Sequence, residues 1–363
     1  VDFRLSEDQL ALQGVAAEFF ASLGGPERSR QALTTGAPVA DVRAELAQLD
    51  LLGLLVPVAA GGGGGTVLDL AVAAEQSGRF VVPDPLVGTS ARAMTLLADA
   101  AADDGTDLLA RGVKGAIGLS VLDGGDLTVA DDTVTGTGVA SLQAAGADAY
   151  LLHVTRTDGT PLVVAVEDPA HVSVPAEVPV DPSRALGRPR FDRAAATTVL
   201  AGESAETAWQ RARDLAVIVL AAQDLGTITQ ARRSSVEYAK DREAFGRQIG
   251  SFQAIKHTLV DLYVREEQLR SLVWLAAWSA DVDPGRTGLY AAAASAYAKD
   301  TLSLAAKTVV HVHGGTGFTW EHDAHLYWRR AKTDRALFAT AADQRAAVAR
   351  WVLNEEEQGE DNA

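Results

Sequence analysis

From Ala205 onward, apolar residues recur at helical spacing in four long segments, about 205–240, 252–281, 286–312 and 335–353. Asp283-Pro-Gly285 parts the second from the third, and Gly314-Gly-Thr-Gly317 interrupts the chain before the fourth. Runs of this length cannot be strands, and connections this short make consecutive helices antiparallel neighbours. The pattern predicts a C-terminal four-helix bundle over 203–354. Upstream the texture changes. Between about Gly115 and Gly202, short β-branched runs such as Ala149-Tyr-Leu-Leu-His-Val and Leu162-Val-Val-Ala-Val alternate with Gly and Asp turns. Strands so short and regularly spaced predict an antiparallel sandwich or barrel, a middle β-domain over 116–202. Residues 1–115 read as an all-α domain. Ser6 is placed to cap its first helix, with Glu7 and Asp8 in the first turn. Further amphipathic runs cover 42–52, 67–77 and 91–102, and the acidic tail 355–363 is expected to fray. The fold class expected is α+β: N-terminal helices, middle β-domain, C-terminal four-helix bundle.

Composition narrows what such a chain does. The formal charge is −16, which disfavours a phosphate backbone as a general partner. Any site for a polyanionic cofactor must gather arginine or lysine locally against that background. There are no cysteines, hence no disulfide framework, thiolate metal site or cysteine nucleophile. No apolar run reaches the roughly 18 residues of a membrane span. The start, Val1-Asp-Phe-Arg, shows neither a basic n-region nor an apolar h-region, so a cytoplasmic protein is expected.

Two motifs carry chemistry. The first is Tyr238-Ala-Lys-Asp-Arg242-Glu-Ala-Phe245-Gly246-Arg-Gln-Ile-Gly250-Ser-Phe252-Gln253. Arg242 offers a forked partner for a pyrophosphate, Phe245 a flat apolar face, and Gly246 is expected to end the first bundle helix in a left-handed conformation. The second is His311-Val-His313-Gly314-Gly315-Thr-Gly317-Phe318, followed by Arg329-Arg-Ala-Lys332. Its Gly-Gly suits a backbone that something approaches closely. A metal is not expected, because His at i and i+2 do not share a helix face and no carboxylate cluster completes a ligand set around His322 and His325. Gly61 to Gly65 lacks the Lys-Ser/Thr of a phosphate loop and reads as a turn.

Together these motifs resemble the acyl-CoA dehydrogenase family, whose fold has the same helical, β, helical order. The resemblance spans nearly the whole chain and is strongest over 226–332. It implies FAD bound between subunits, with Arg242, Phe245, Gly246, Gln253, His311, Gly314 and Gly315 as cofactor-binding residues. The family usually has Gln where His311 stands. It also implies a Glu that removes the acyl α-proton, but Phe338 occupies that position here. The alternative Glu position, on the first bundle helix, is Ala216, and its usual Arg neighbour is Val217. No catalytic residue can therefore be assigned; Asp214 is a weak candidate and Glu321 a weaker one. The ring-flanking Thr-Glu-Pro, Gly-Ser-Asp and Trp-Ile-Thr motifs are absent from their approximate counterparts, Leu119–Asp126 and Ser141–Asp148. Asp181-Pro-Ser-Arg184 before Arg190-Phe191-Asp192 resembles a turn and strand of short actinobacterial members.

What is missing is what a subunit gives its own flavin ring; what remains is what it presents to its neighbour's cofactor. The resemblance therefore implies the non-catalytic subunit of an actinobacterial heterotetrameric acyl-CoA dehydrogenase, active only with a second, acyl-CoA dehydrogenase-like subunit. An acyl-CoA substrate, possession of FAD in the complex, and an electron-transfer flavoprotein as acceptor are implied with it, and steroid side-chain β-oxidation is one setting. Two alternatives stand beside it: an autonomous enzyme with a relocated base, and a non-redox scaffold or acyl-CoA-binding protein.

Overall fold

The computed structural model describes residues 4–35, 42–100, 103–130, 132–177 and 179–360. Helices come first: α1 (Glu7–Ser22), α2 (Gly25–Thr35), α3 (Arg43–Gln48), α4 (Val67–Arg79), a π-helical stretch Leu86–Ala93, α5 (Met94–Asp99) and α6 (Asp103–Val113). Strands follow: β1 (Leu119–Leu122), β2 (Gly125–Ala130), β3 (Thr133–Gly138), β4 (Ala149–Thr155), β5 (Pro161–Val166), β6 (Val172–Ser173) and β7 (Arg190–Ala201). Long helices close the chain: α7 (Glu203–Asp241), α8 (Gln253–Val282), α9 (Thr287–His313), α10 (Ala324–Asp334) and α11 (Ala341–Glu360). The helical, β, helical order is the one the sequence predicts. Ser6 caps α1 as expected, in a reciprocal capping box with Gln9.

The chain forms two compact units. The first comprises Val1–Arg30, Ala71–Val82 and Leu220–Ala363, the second Gln31–Leu70 and Pro83–Val219. In the second unit the seven strands run in the order β1-β4-β5-β7-β3-β2, with β6 also on β7. Alternation along the strands explains how one sheet carries two cores. Leu151, Val163 and Ala165 point into a cluster with Met94, Leu97, Leu109 and Trp209, while Leu152, Leu162 and Val164 point into another with Val134 and Phe191. The sheet bends along β7, whose pairing with β3 gains an extra residue at Asp192–Arg193, where Arg193 takes φ +51°. One strand pair departs from the antiparallel expectation: β1 runs parallel to β4, with Leu119 opposite Ala149. Leu119–Leu122, read from sequence as part of a ring-flanking loop, is thus a buried strand.

In the first unit α9 is the central helix, and α8, α10 and α11 all pack on it. Two glycines set the crossing of α4 and α7: a Cβ on Gly226 would lie 1.8 Å from Glu75 O, and one on Gly78 would lie 2.0 Å from Gln223 O. The fourth helical segment, predicted to start at 335, begins instead at Ala341 as α11, and α10 is a further helix before it that the periodicity did not predict. Residues 335–340 cannot continue either helix because Phe338 and Ala339 adopt φ +60° and +143°. Helix α11 runs to Glu360, into the stretch read as a tail; residues 361–363 and 101–102, the latter within a predicted helix, lie outside the described residues. Among the described residues no helix is long and apolar enough to cross a membrane.

Candidate functional site

The first motif begins where α7 ends at Asp241. Arg242 N donates to Tyr238 O, extending the helical register by one residue, and Ile249 N donates to Arg242 O. Between these bonds lies a minimal hairpin, with Glu243 opposite Gln248 and Ala244 opposite Arg247. Its two loop residues, Phe245 and Gly246, have φ +55° and +76°, the signature of a type I′ turn. Gly246 therefore does not end the helix, as its sequence position suggested; it completes a hairpin turn. A bulky residue with positive φ is strained by roughly 1 kcal/mol or more. Phe245 accepts that conformation at the hairpin tip and is 96% exposed. Its ring meets Phe252 edge-on at 6.2 Å, and the Arg247 guanidinium lies 4.1 Å over Phe252. Arg242 and Gln253 are exposed as well.

The second motif closes α9. His313 is buried, and its Nδ1 lies 2.7 Å from Val309 O; a carbonyl only accepts, so Nδ1 carries the proton. Burial pushes the His313 pKa below its ordinary value, and nearby His322 adds to the effect. The His313 ring packs 4.3 Å from Tyr238 of the first motif, and Val312 joins Ala239 and Leu259 in one apolar cluster. Both motifs are thereby held at one end of the first unit. His311 faces outward while His313 faces in, so the pair does not converge on a common point. Gly314 stops the helix at φ +59°, where a side chain is strained. Gly315 has no such requirement, and a Cβ built there meets nothing within 4 Å. Its bareness leaves an open backbone surface beside exposed Phe318, which is 79% exposed.

These residues fit a dinucleotide. Arg242 is a forked cation, Phe245 a free aromatic face, and Gly314–Gly315 an uncovered backbone. Since Gly314 stands at the negative end of α9, that backbone suits a nucleoside better than a phosphate, which leaves the anionic part to Arg242.

The two positions that the resemblance marks for a base, 216 and 338, hold no carboxylate. Ala216 and Val217 are buried within α7. Phe338 is half-buried in the turn before α11. Lys299, which sequence reading passed over as one lysine in a helix, fixes that turn: its buried Nζ donates to Leu337 O and Ala339 O, each at 2.5 Å. Thr340 and Asp343 close the segment with a reciprocal cap on α11. Asp214, the weak candidate, accepts from Gln210 Nε2 at 2.9 Å, and burial pushes its carboxyl up to about 6. Glu321 is exposed in the turn after Phe318. Gly61 to Gly65 forms the turn predicted for it, folded back by bonds from Gly63 N to Gly53 O and Gly65 N to Leu54 O. Arg247 also escaped the sequence reading, although it stands inside the first motif.

Comparison with known proteins agrees with this architecture. Residues 6–108 match the family model described as acyl-CoA dehydrogenase, N-terminal domain, and 214–353 match acyl-CoA dehydrogenase, C-terminal domain. Acyl-CoA dehydrogenase IpdE2 of Mycobacterium tuberculosis is 33% identical over 327 residues, covering 90% of this chain and 91% of its own. The ChsE4-ChsE5 complex from the same organism superposes with a TM-score of 0.85 at 25% identity, covering 97% of this chain and 99% of the other. A variant of the Tcur3481-Tcur3483 steroid ACAD gives the same TM-score at 28% identity, with 97% and 99% covered.

Proposed function

The chain belongs to the acyl-CoA dehydrogenase family, and from that premise we propose that it is the non-catalytic subunit of a heteromeric, FAD-dependent enzyme. The reaction is α,β-dehydrogenation of an acyl-CoA thioester to the trans-2-enoyl-CoA. When bound, FAD accepts the β-hydrogen as hydride. The α-proton must go to a carboxylate, and in this reading that carboxylate is the partner subunit's. This chain's contribution is binding. Arg242 pairs with the pyrophosphate, Phe245 covers one apolar face, and Gly314 and Gly315 let the nucleoside approach their backbone. Gly246 keeps Phe245 at the hairpin tip, and Gln253 and His311 supply further polar contacts.

One contrast carries the reading: Tyr238 and His313 hold the two motifs side by side with Arg242, Phe245, Gly314 and Gly315 exposed, whereas the base positions are Phe338 and Ala216. A steroid acyl-CoA substrate is proposed because two similar proteins are a steroid ACAD and a member of a two-component complex. An electron-transfer flavoprotein is proposed as acceptor. The test is the visible spectrum of the chain purified alone and co-purified with the subunit encoded beside it. We expect a colourless chain and a yellow, active complex; a yellow chain at one flavin each overturns the proposal.

A second reading has an observation of its own. Asp214 is partly buried with a raised pKa, as a relocated general base would be. That reading expects an active, flavin-loaded homo-oligomer whose turnover is lost in Asp214→Ala.

A further inference from the structure

The second unit holds a buried arginine that neither motif uses. Arg92 lies in the π-helical stretch Leu86–Ala93, all eight residues of which are buried, and Arg92 itself is 3% exposed. Its guanidinium forms a two-pronged pair with Asp123, at 2.9 Å from Nη1 to Oδ2 and shorter from Nη2 to Oδ1. The guanidinium carbon lies over the Trp209 ring, 4.8 Å from its centroid. Asp123 and Gly124 form the tight turn between β1 and β2, where Gly124 takes φ +138° and Gly125, the first residue of β2, +147°. A buried ion pair adds little net stability, because desolvation offsets the attraction, but it fixes geometry where one partner sits on a loop. Here it draws the β1–β2 turn onto the π-helical stretch.

The neighbouring segment is fixed in the same sense. Ser120 Oγ donates to Leu142 O at 2.8 Å, joining β1 to the stretch that precedes β4. Gln143, buried with φ +57°, sets its Oε1 where a Cβ on Gly88 would be only 2.0 Å away. By the resemblance to the family, these two segments, Leu119–Asp126 and Ser141–Asp148, are the approximate counterparts of those that flank the flavin ring there. In this chain they are tied to each other, and Arg92 ties the first to a helix of the same unit.

We propose that the Arg92–Asp123 pair, backed by Trp209, is a latch that closes this chain's own ring-binding face, so that the subunit cannot take a flavin there. Loss of the family motifs is then accompanied by active closure, which keeps cofactor on the partner's side. The inference rests on the non-catalytic reading above.

Hydrogen exchange on the full chain, followed by titration with FAD, tests it. Asp123→Asn keeps the shape and removes the charge; Arg92→Met keeps much of the bulk against Trp209. Both are first checked for a cooperative thermal melt. We expect amide exchange across 119–126 to accelerate at least tenfold in either variant, and FAD fluorescence to be quenched by the variants at concentrations tenfold below any effect of the parent chain. Unchanged exchange overturns the latch. Faster exchange without FAD binding overturns its closing role, since the face then fails for want of contacts alone. If only one variant folds, the same two readouts on it decide. A parent chain that binds FAD at one per chain overturns the non-catalytic reading itself, a result distinguishable from either failure of the latch.

Discussion

At Phe338, the position the resemblance marks for a base, the backbone is more constrained than the side chain. Ala339 holds φ +143°, a conformation that glycine adopts freely and alanine does not. The carbonyls on either side of Phe338 are bound by the Lys299 ammonium, which leaves the turn no relaxed alternative. Ala339→Gly should therefore stabilise the chain by about 1 kcal/mol, seen as a rise in the urea midpoint. A lower midpoint would show that entropy gained by the unfolded chain exceeds the strain released. Asp214 predicts a pH effect of opposite character to that of a salt-bridged carboxylate. Its folded pKa, about 6, lies above the ordinary aspartate value of 3.8, so the folded state holds a proton that the unfolded state releases between those values. Stability from this group is greatest below about pH 4 and declines as pH rises to about 6. Asp214→Asn keeps the amide-sized side chain without the charge and should gain roughly 2 kcal/mol at pH 7 and almost nothing at pH 4. Melts at the two pH values check this; equal gains at both would sink the assignment. That Phe338 stands where a base is expected was legible only through the resemblance to the family, which marks the position after Arg329-Arg-Ala-Lys332. Lys299 was not, because a lysine in a helix reads as solvated until the partner carbonyls, some 40 residues on, are brought beside it.

Helices and strands were legible to differing degrees for physical reasons. The long helices α7, α8 and α9 follow from apolar periodicity and their bounds fall within a few residues of the expected ones. Helix α10 escaped because its buried stripe, Ala324, Tyr327 and Ala331, is short and interrupted by charged and polar residues, and its packing on α9 is not visible in sequence. The parallel pairing of β1 with β4 escaped because periodicity names a strand, not its neighbour. The Phe245-Gly246 turn was misread because Arg and Gly after a long helix satisfy the rules for a helix end as well as those for a hairpin. The α4–α7 crossing makes the sharpest prediction at this scale. Both Gly78 and Gly226 are helical, so alanine suits their backbone, yet its methyl would strike main-chain atoms of the facing helix, which cannot yield as a side chain can. Gly226→Ala should cost about 3 kcal/mol or more, against the fraction of a kcal/mol gained from helix propensity. A neutral or stabilising result in chemical denaturation would mean that the two helices separate without penalty.

For the whole molecule, the proposed function assigns folding and cofactor holding to different residues. The chain carries a formal charge of −16, so a dinucleotide must meet a local cation before it meets the general field. Arg242 is fully outside the core and follows the last residue of α7. Removing its side chain should change the melting temperature of the isolated chain little, as for surface substitutions generally, within about 0.5 kcal/mol. In the complex with the partner subunit the same Arg242→Ala change should behave otherwise. A charge-assisted contact to a phosphate contributes roughly 1.5–3 kcal/mol, which is about ten- to a hundredfold in flavin affinity. Flavin retained after dialysis, read from the visible absorbance of the complex, gives that loss directly. The two measurements separate the readings. If Arg242 serves only its own chain's packing, stability falls and colour does not. If it serves a cofactor seated in the partner, colour falls while stability holds, and added FAD restores it, because the folded surfaces that meet are intact.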